Sequence, residues 1–123
     1  MRTADLRIGN LVSYKNEDIV VADAVSKDFI LTHGQFKIST PNIEPIPLTE
    51  QWLLDFGFEY KLRNEYAISI GDYTLLLSIE KDHIAVIYVY AYDSEATFLK
   101  NIIYVHQLQN LYFALFQEEL IIK

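Results

Sequence analysis

The sequence contains no cysteine, and this absence excludes several kinds of site. Without thiols the chain forms no disulfide bond, uses no thiolate nucleophile, and holds no zinc ion or iron–sulfur cluster through sulfur. Small secreted domains often depend on disulfides for their stability, so the absence also favours the cytoplasm as the location. The first ten residues lack the apolar block of a secretory signal peptide, which leads to the same expectation.

Long hydrophobic runs and an excess of positive charge are missing as well. No apolar stretch reaches about 18 residues, the length that a membrane-spanning helix needs. Of the 10 basic and 17 acidic side chains, residues 49–123 hold five and eleven, a net charge of −6. Such a surface repels phosphate groups, so we expect neither nucleic acid nor a membrane as a partner. The acidity itself fits either ordinary solubility or an acidic face that docks on a basic partner.

Glycine and histidine are too few and too scattered for the common phosphate and metal motifs. The four glycines are isolated, so the sequence has no glycine-rich phosphate loop. His33, His83 and His106 lie in different predicted elements, and neither H-x-H nor H-E-x-x-H spacing occurs. Adjacent acidic pairs at 17–18 and 118–119 are typical of solvated turns and helix ends. We therefore expect no catalytic residue, no metal and no cofactor, and we predict that the protein is not an enzyme.

The residues that are present are sufficient for one folded domain. Hydrophobic residues make up 51% of the 123 residues and charged residues 22%, which allows a core and excludes a disordered chain. Polar clusters at 15–18, 26–28, 33–34 and 80–83 predict turns, and Gly71-Asp72 predicts a two-residue hairpin turn. Short alternating or β-branched segments between such turns predict strands at 6–14, 19–22, 29–32, 36–38, 58–62, 66–70, 73–79, 84–92 and 97–103.

The three prolines divide the sequence. Pro41, Pro45 and Pro47 predict a stiff, extended connector over 41–48, because proline fixes its own φ and biases the preceding residue toward extended geometry. Thr49 then serves as a helix N-cap, and Gly57 ends the short helix 49–56. We take the connector as the boundary between two parts that share one core.

The C-terminal region has a different periodicity. Its apolar residues recur at intervals of three and four, which predicts an amphipathic helix over about 104–117. The predicted fold is a single α+β domain of residues 1–123. In it a small β-meander (1–48) precedes residues 49–123, which hold the short helix and a mainly antiparallel sheet packed by the C-terminal helix.

Three segments carry a resemblance to a known group of proteins. They read LRIGNLV at 6–12, PIPLTEQWLL at 45–54 and YVHQLQNLYFAL at 104–115. Together they resemble a family of small, uncharacterised proteins of bacteria and bacteriophages. The resemblance implies an intracellular protein in the context of a phage or mobile element, and it brings no activity, cofactor or functional residue. The family tends to have Thr-Gly before the final acidic pair, where this chain has Phe116 and Gln117.

The first candidate binding residues lie on the predicted C-terminal helix. His106, Gln109 and Asn110 share one helix face at i, i+3 and i+4, with Gln107 beside them. An imidazole flanked by amides is suited to a small polar ligand or to the backbone of a partner. The same pattern is equally typical of a solvated outer face, or of amides that cap the edge of a sheet. Amides exchange no protons near neutral pH, which argues against a hydrolase built from this cluster.

The second candidate is a row of tyrosines. Tyr88, Tyr90 and Tyr92 recur at period two, so they point to one side of the predicted strand 84–92. A row of tyrosines is suited to recognition because each ring offers apolar area and a hydroxyl. The alternative is a sheet face packed under the C-terminal helix.

Two functions are compatible with these residues. The first is a non-enzymatic interaction module that binds an unidentified protein partner and, in a phage context, modulates a host protein. The second is a protein that sequesters a small molecule or nucleotide without catalysis, which for an anionic ligand requires that Arg2, Arg7, Lys61 and Arg63 converge. A free sheet edge would also permit a homodimer.

Overall fold

The computed structural model describes residues 1–15, 18–33, 36–92 and 95–123. In this part of the chain, two α-helices and eleven antiparallel strands form an α+β fold with a C-terminal helix packed on a sheet, which confirms the predicted fold class. The chain divides into two compact units. The first contains residues 1–47 and 104–120, and the second contains residues 48–103 and 121–123.

The first unit contains two three-stranded antiparallel sheets. The strand orders are β2-β1-β6 and β3-β4-β5. Strands β2, β4 and β5 match predicted segments, and β1 covers only the second part of the strand predicted at 6–14. The two-residue strands β3 and β6 were not predicted, and parts of the predicted turns at 16–17 and 34 lie outside the described residues. The six strands are β1 (Leu11–Tyr14), β2 (Asp18–Val21), β3 (Ala24–Val25), β4 (Phe29–Thr32), β5 (Phe36–Ser39) and β6 (Ile43–Glu44). One hydrophobic cluster of this unit is formed by the buried side chains of Val12, Ala22, Ile30, Ile38 and Ile43.

The proline segment is more than the extended connector that the sequence predicts. Residues Thr40–Asn42 form a 3-10 turn, and Pro41 fits it because its fixed φ suits the first turn of a helix. The next two residues form β6, which pairs with β1 and buries Ile43. Pro47 then forms a β-bridge with Tyr104. The segment is therefore part of the first unit, and the boundary between the units follows it.

The second unit begins with α1 (Glu50–Asp55), which the sequence placed at 49–56. The Thr49 hydroxyl accepts a hydrogen bond from the backbone N–H of Trp52, as an N-cap does. At the other end the Phe58 N–H donates to the Leu53 carbonyl and the Gly57 N–H to the Leu54 carbonyl, which is a Schellman motif. Gly57 has a φ of +97°, a conformation that favours glycine.

A five-stranded antiparallel meander forms the rest of the second unit. The strand order is β11-β10-β9-β8-β7, so neighbours in sequence are neighbours in the sheet. Gly71 and Asp72 form the predicted two-residue hairpin turn between β8 and β9. The strands are β7 (Glu59–Tyr60), β8 (Glu65–Ile70), β9 (Tyr73–Ile79), β10 (Ile84–Tyr90) and β11 (Ala96–Ile102). One face of the sheet is buried and includes Tyr66, Leu75, Leu77, Ile84 and Val86.

The C-terminal helix α2 spans Val105–Phe116, close to the predicted 104–117. It ends at Gln117, which adopts the left-handed conformation with a φ of +58°. The sequence grouped this helix with residues 49–103, whereas the structure assigns it to the first unit together with β1. The side chains of α2 form polar contacts with residues 5–11, and the spacing of its apolar residues does not reveal these contacts. Among the described residues, no helix is both long and apolar enough to cross a membrane.

Candidate functional site

Four tyrosine rings form a continuous chain at one end of the five-stranded sheet. We call Tyr73, Tyr88, Tyr90 and Tyr92 the tyrosine cluster. The Tyr73 ring lies 5.0 Å from the Tyr88 ring at an interplanar angle of 13°, and 5.0 Å from the Tyr90 ring at 36°. The Tyr92 ring follows at 5.3 Å from the Tyr90 ring. These separations are those of interacting aromatic pairs, so the cluster is one connected aromatic surface.

The strand register explains why these rings meet. Tyr73 is directly opposite Tyr90 in the β9–β10 pair, and Tyr88 is opposite Leu75, two residues along the same face. Cross-strand and diagonal neighbours on one face of an antiparallel pair are within reach of aromatic side chains. The Ala91 N–H donates to the Asp72 carbonyl at 2.8 Å, which joins the chain after β10 to the β8–β9 hairpin. The rings are thus positioned by two paired strands and a tight turn.

Exposure increases along the cluster. Tyr88 and Tyr90 are half-buried, Tyr73 is 37% exposed and Tyr92 is 74% exposed. Burial raises the pKa of the Tyr88 hydroxyl, helped by the neighbouring Tyr73 and the hydrogen bond between the two hydroxyls. The inner rings therefore form a half-buried base, and the outer rings offer apolar area and hydroxyls to solvent.

The sequence predicted part of this arrangement. It placed Tyr88, Tyr90 and Tyr92 on one strand, but β10 ends at Tyr90 and Tyr92 lies in the turn that follows. Tyr92 still contacts Tyr90 through its ring. Sequence reasoning missed Tyr73, although the predicted hairpin at 71–72 and the predicted turn at 80–83 together fix the register that places it opposite Tyr90.

The charges at this end of the sheet have one sign. Residues 64–80 and 82–99 contain no lysine or arginine, although Asp72 and Glu95 lie within them beside the cluster in sequence. The basic residues of the sheet region come elsewhere: Lys61 and Arg63 precede β8, Lys81 lies in the turn between β9 and β10, and Lys100 lies on β11 opposite Val86. The tyrosine cluster therefore lies in an acidic part of the chain.

Gln109, the innermost amide of the α2 cluster, is buried, whereas Gln107 and Asn110 are half-buried. Gln109 is 3% exposed. Its carbonyl oxygen accepts a hydrogen bond from the Leu11 N–H at 2.8 Å, and its amide nitrogen donates to the Gly9 carbonyl at 3.2 Å. Residues 7–10 are not in a strand, so their backbone groups need partners from elsewhere. Gln109 therefore caps the edge of a sheet, which is one of the roles that the sequence allowed for these amides.

Asn110 extends the same network. Its carbonyl oxygen accepts from the Asn10 amide at 2.8 Å, and its own amide donates to the Asp5 carbonyl at 3.3 Å. Asn10 is fully buried and accepts a hydrogen bond from the Arg7 N–H at 2.6 Å. The amides thus connect α2 to the N-terminal segment, and their hydrogen-bonding capacity is used within the protein.

His106 and Gln107 lie in the first turn of α2. The Gln107 carbonyl oxygen accepts from the Tyr104 N–H at 3.0 Å, which is one half of a capping box. His106 is 4% exposed, and its ring stacks on Tyr104 at 5.9 Å. Its Nδ1 atom has no hydrogen-bond partner within the described ranges. Burial lowers the pKa of the imidazole, and the negative charge of Asp5 opposes this effect. His106 is a buried, neutral group here.

Three of the four basic residues considered for an anionic ligand have acidic partners within the protein. Arg2 pairs with Asp5 in the first unit, and Lys61 pairs with Glu59 in the second. Arg7 forms a two-point ion pair with Glu119 and lies over the Phe113 ring at 4.3 Å. No group of three or more histidine or carboxylate side chains suited to a metal occurs in the described part of the chain.

A shallow depression of about 560 Å3 lies in the first unit. It is lined by residues 1–4, residues 25–28 and Thr40. The Thr3 hydroxyl donates to the Lys27 carbonyl at 2.6 Å, and the terminal ammonium of Met1 donates to the Ile43 carbonyl at 3.3 Å. Two donors near the depression are thus engaged within the protein.

Comparison of the chain with models of protein families, with curated proteins and with solved structures finds no match. The resemblance drawn from three sequence segments therefore stays a prediction. The structure does show how these segments are used. Gln109 and Asn110 of the third segment bind the backbone and side chains of the first, and the Val105 N–H donates to the carbonyl of Ile46 in the second. These contacts all lie within the first unit.

Proposed function

We propose that the protein is a non-enzymatic interaction module that binds another protein through the tyrosine cluster. The observation that carries the proposal is the exposure of Tyr92 and Tyr73 on a base of two half-buried rings. Tyrosine is enriched at the energetic centres of protein interfaces because a rigid ring buries much area at a low cost in conformational entropy. Rings that are already stacked in the free protein have lost part of their conformational entropy before a partner binds.

The non-enzymatic part of the proposal is supported by the use of the polar side chains. Gln109 and Asn110 are bonded to backbone and side-chain groups of the first unit, and the His106 imidazole is buried. We place the protein in the cytoplasm, as the absence of cysteine favours. In the phage or mobile-element context that the resemblance implies, the module would act by modulating a protein of the host.

A homodimer through the sheet edge is the less favoured arrangement. The edge strand β11 spans seven residues, but its pairing with β10 shifts between Val86 and Ile87, so Leu99 has no partner across the pair. Bulges and edge lysines discourage further strand pairing, and Lys100 follows the bulge directly. The edge thus carries two features that work against the addition of a second copy.

Photocrosslinking in living cells in which the protein naturally occurs tests the proposal. A photoreactive phenylalanine analogue replaces Tyr92 in one variant and Tyr60, an exposed tyrosine on β7 of the same sheet, in the control. We expect a discrete protein adduct from position 92 and a much weaker one from position 60, both identified by mass spectrometry. Equal labelling at the two positions, or no adduct at position 92, would overturn the proposal.

A further inference from the structure

We propose that the tyrosine cluster binds an arginine side chain presented by a segment of the protein partner. This inference rests on the proposed function and specifies the chemistry of the partner. It combines two observations that are independent of each other: the exposed rings of Tyr73 and Tyr92, and the uniformly acidic sequence around them.

The aromatic surface selects for a cation. The face of a tyrosine ring carries partial negative charge, and a guanidinium group above it is attracted by the ring quadrupole. Arginine is better suited than lysine because its planar, weakly hydrated group stacks on a ring and loses less hydration on binding. Tyr92 is the main candidate for this contact because 74% of its surface is open to solvent.

The first unit shows the same contact made within the chain. Arg7 lies over the Phe113 ring at 4.3 Å, and Lys37 lies over the Phe29 ring at 4.4 Å. Tyr73 and Tyr92 have no such cation from the described part of this chain, in keeping with the absence of lysine and arginine from residues 64–80 and 82–99. A cation at these rings would have to come from a partner.

The local charge favours the same partner. Asp72 is exposed and follows Gly71 in the hairpin beside Tyr73. A carboxylate near an aromatic surface attracts a guanidinium and forms charge-assisted hydrogen bonds with it. The same carboxylate repels a phosphate or an acidic peptide, so the surface discriminates between partners by charge as well as by shape.

The test uses the full chain and a fluorescein-labelled peptide of alternating arginine and glycine, titrated by fluorescence anisotropy. Peptides with lysine or glutamate in place of arginine are the probes for comparison. We expect saturable binding of the arginine peptide, weaker binding of the lysine peptide and none of the glutamate peptide. Tyr92→Leu should weaken arginine binding about three- to tenfold, whereas Tyr92→Phe, which keeps the ring, should retain most of it.

Two control variants separate the site from general attraction to an acidic protein. Tyr60→Leu removes an exposed ring from β7 and should leave the affinity within about twofold of the wild type, whereas Asp72→Asn should weaken binding and reduce its dependence on salt. The proposal is overturned if the arginine peptide does not bind, or if Tyr60→Leu and Tyr92→Leu weaken binding equally. An adduct at position 92 in cells with no binding of the arginine peptide would refute the arginine contact and leave the interaction module standing.

Discussion

The side-chain oxygen of Gln109 accepts a hydrogen bond from the backbone N–H of Leu11 at 2.8 Å, across 98 residues of sequence. This bond connects the middle of α2 to the first residue of β1, on the side of the strand that has no strand partner at that position. The amide group of one buried side chain thus replaces a neighbouring strand. A polar residue on the polar face of an amphipathic helix is, in this case, part of the interior.

Gln109→Ala should therefore destabilise the protein. The substitution leaves the Leu11 N–H and the Gly9 carbonyl without their partner in a buried setting, and each such loss is expensive. We expect the free energy of unfolding to fall by about 2–3 kcal/mol, measured by urea denaturation. Gln51→Ala is the matched control, since Gln51 is exposed and bonded only to Asp55 one helical turn away. Equal, small losses in the two variants would contradict the structural role of Gln109.

The ion pair of Arg7 and Glu119 leads to a second prediction. The two guanidinium nitrogens of Arg7 reach both carboxylate oxygens of Glu119, and the group also lies over the Phe113 ring. Arg7→Lys keeps the charge but loses the two-point geometry and the stacking, so we expect a loss of about 1 kcal/mol. Arg2→Lys, at an exposed pair, should change stability very little.

The contribution of the Arg7–Glu119 ion pair to stability depends on pH. Hydrogen bonding to Arg7 lowers the pKa of the Glu119 carboxyl below its usual 4.5. A carboxyl with a lowered pKa stabilises the folded state above its ordinary pKa, and that contribution is lost as the pH falls through the lowered value. The difference in stability between the wild type and Arg7→Lys should therefore narrow below about pH 4.5, as followed by urea denaturation across the acidic range. If the difference in the free energy of unfolding between the two proteins does not change with pH, the predicted contribution of the ion pair is contradicted.

The elements of this fold follow from local sequence because their signals are local. The hairpin at 71–72, the Thr49 cap and the periodicity of α2 each depend on a few neighbouring residues, and each is present as predicted. The tyrosines of β10 were found for the same reason, because alternation along a strand fixes which side chains share a face.

The remaining features depend on contacts between distant residues. Periodicity separates a polar helix face from an apolar one, but a solvated amide and a buried amide that caps a strand have the same pattern, as Gln109 demonstrates. Tyr73 was missed because a ring cluster forms across two strands and needs their register. Strand β6 was missed because proline spacing alone does not show that Ile43 pairs with β1 and enters the core.

Tyr66 leads to a prediction in alkaline solution. Burial, together with a hydrogen bond from the phenol to Glu50, raises the pKa of Tyr66 from 10.0 to about 12. The unfolded chain therefore loses this proton first, so the stabilising contribution is complete below pH 10 and is lost as the pH rises toward 12. Tyr66→Phe should be less stable than the wild type at pH 8, and the difference should shrink by pH 11. A difference between Tyr66→Phe and the wild type that stays the same at pH 8 and pH 11 would contradict the prediction.

The buried imidazole of His106 leads to a prediction about stability at mildly acidic pH. Its imidazole is buried with Nδ1 unpaired among the described residues, and burial lowers its pKa below 6.5. The unfolded chain then binds a proton more readily than the folded one, so stability is complete above pH 6.5 and declines as the pH falls toward the lowered pKa. His106→Phe keeps an aromatic ring for stacking on Tyr104 and removes the titrating group, so its free energy of unfolding should fall less between pH 7 and pH 5. A His106→Phe slope equal to that of the wild type would contradict the lowered pKa of the imidazole.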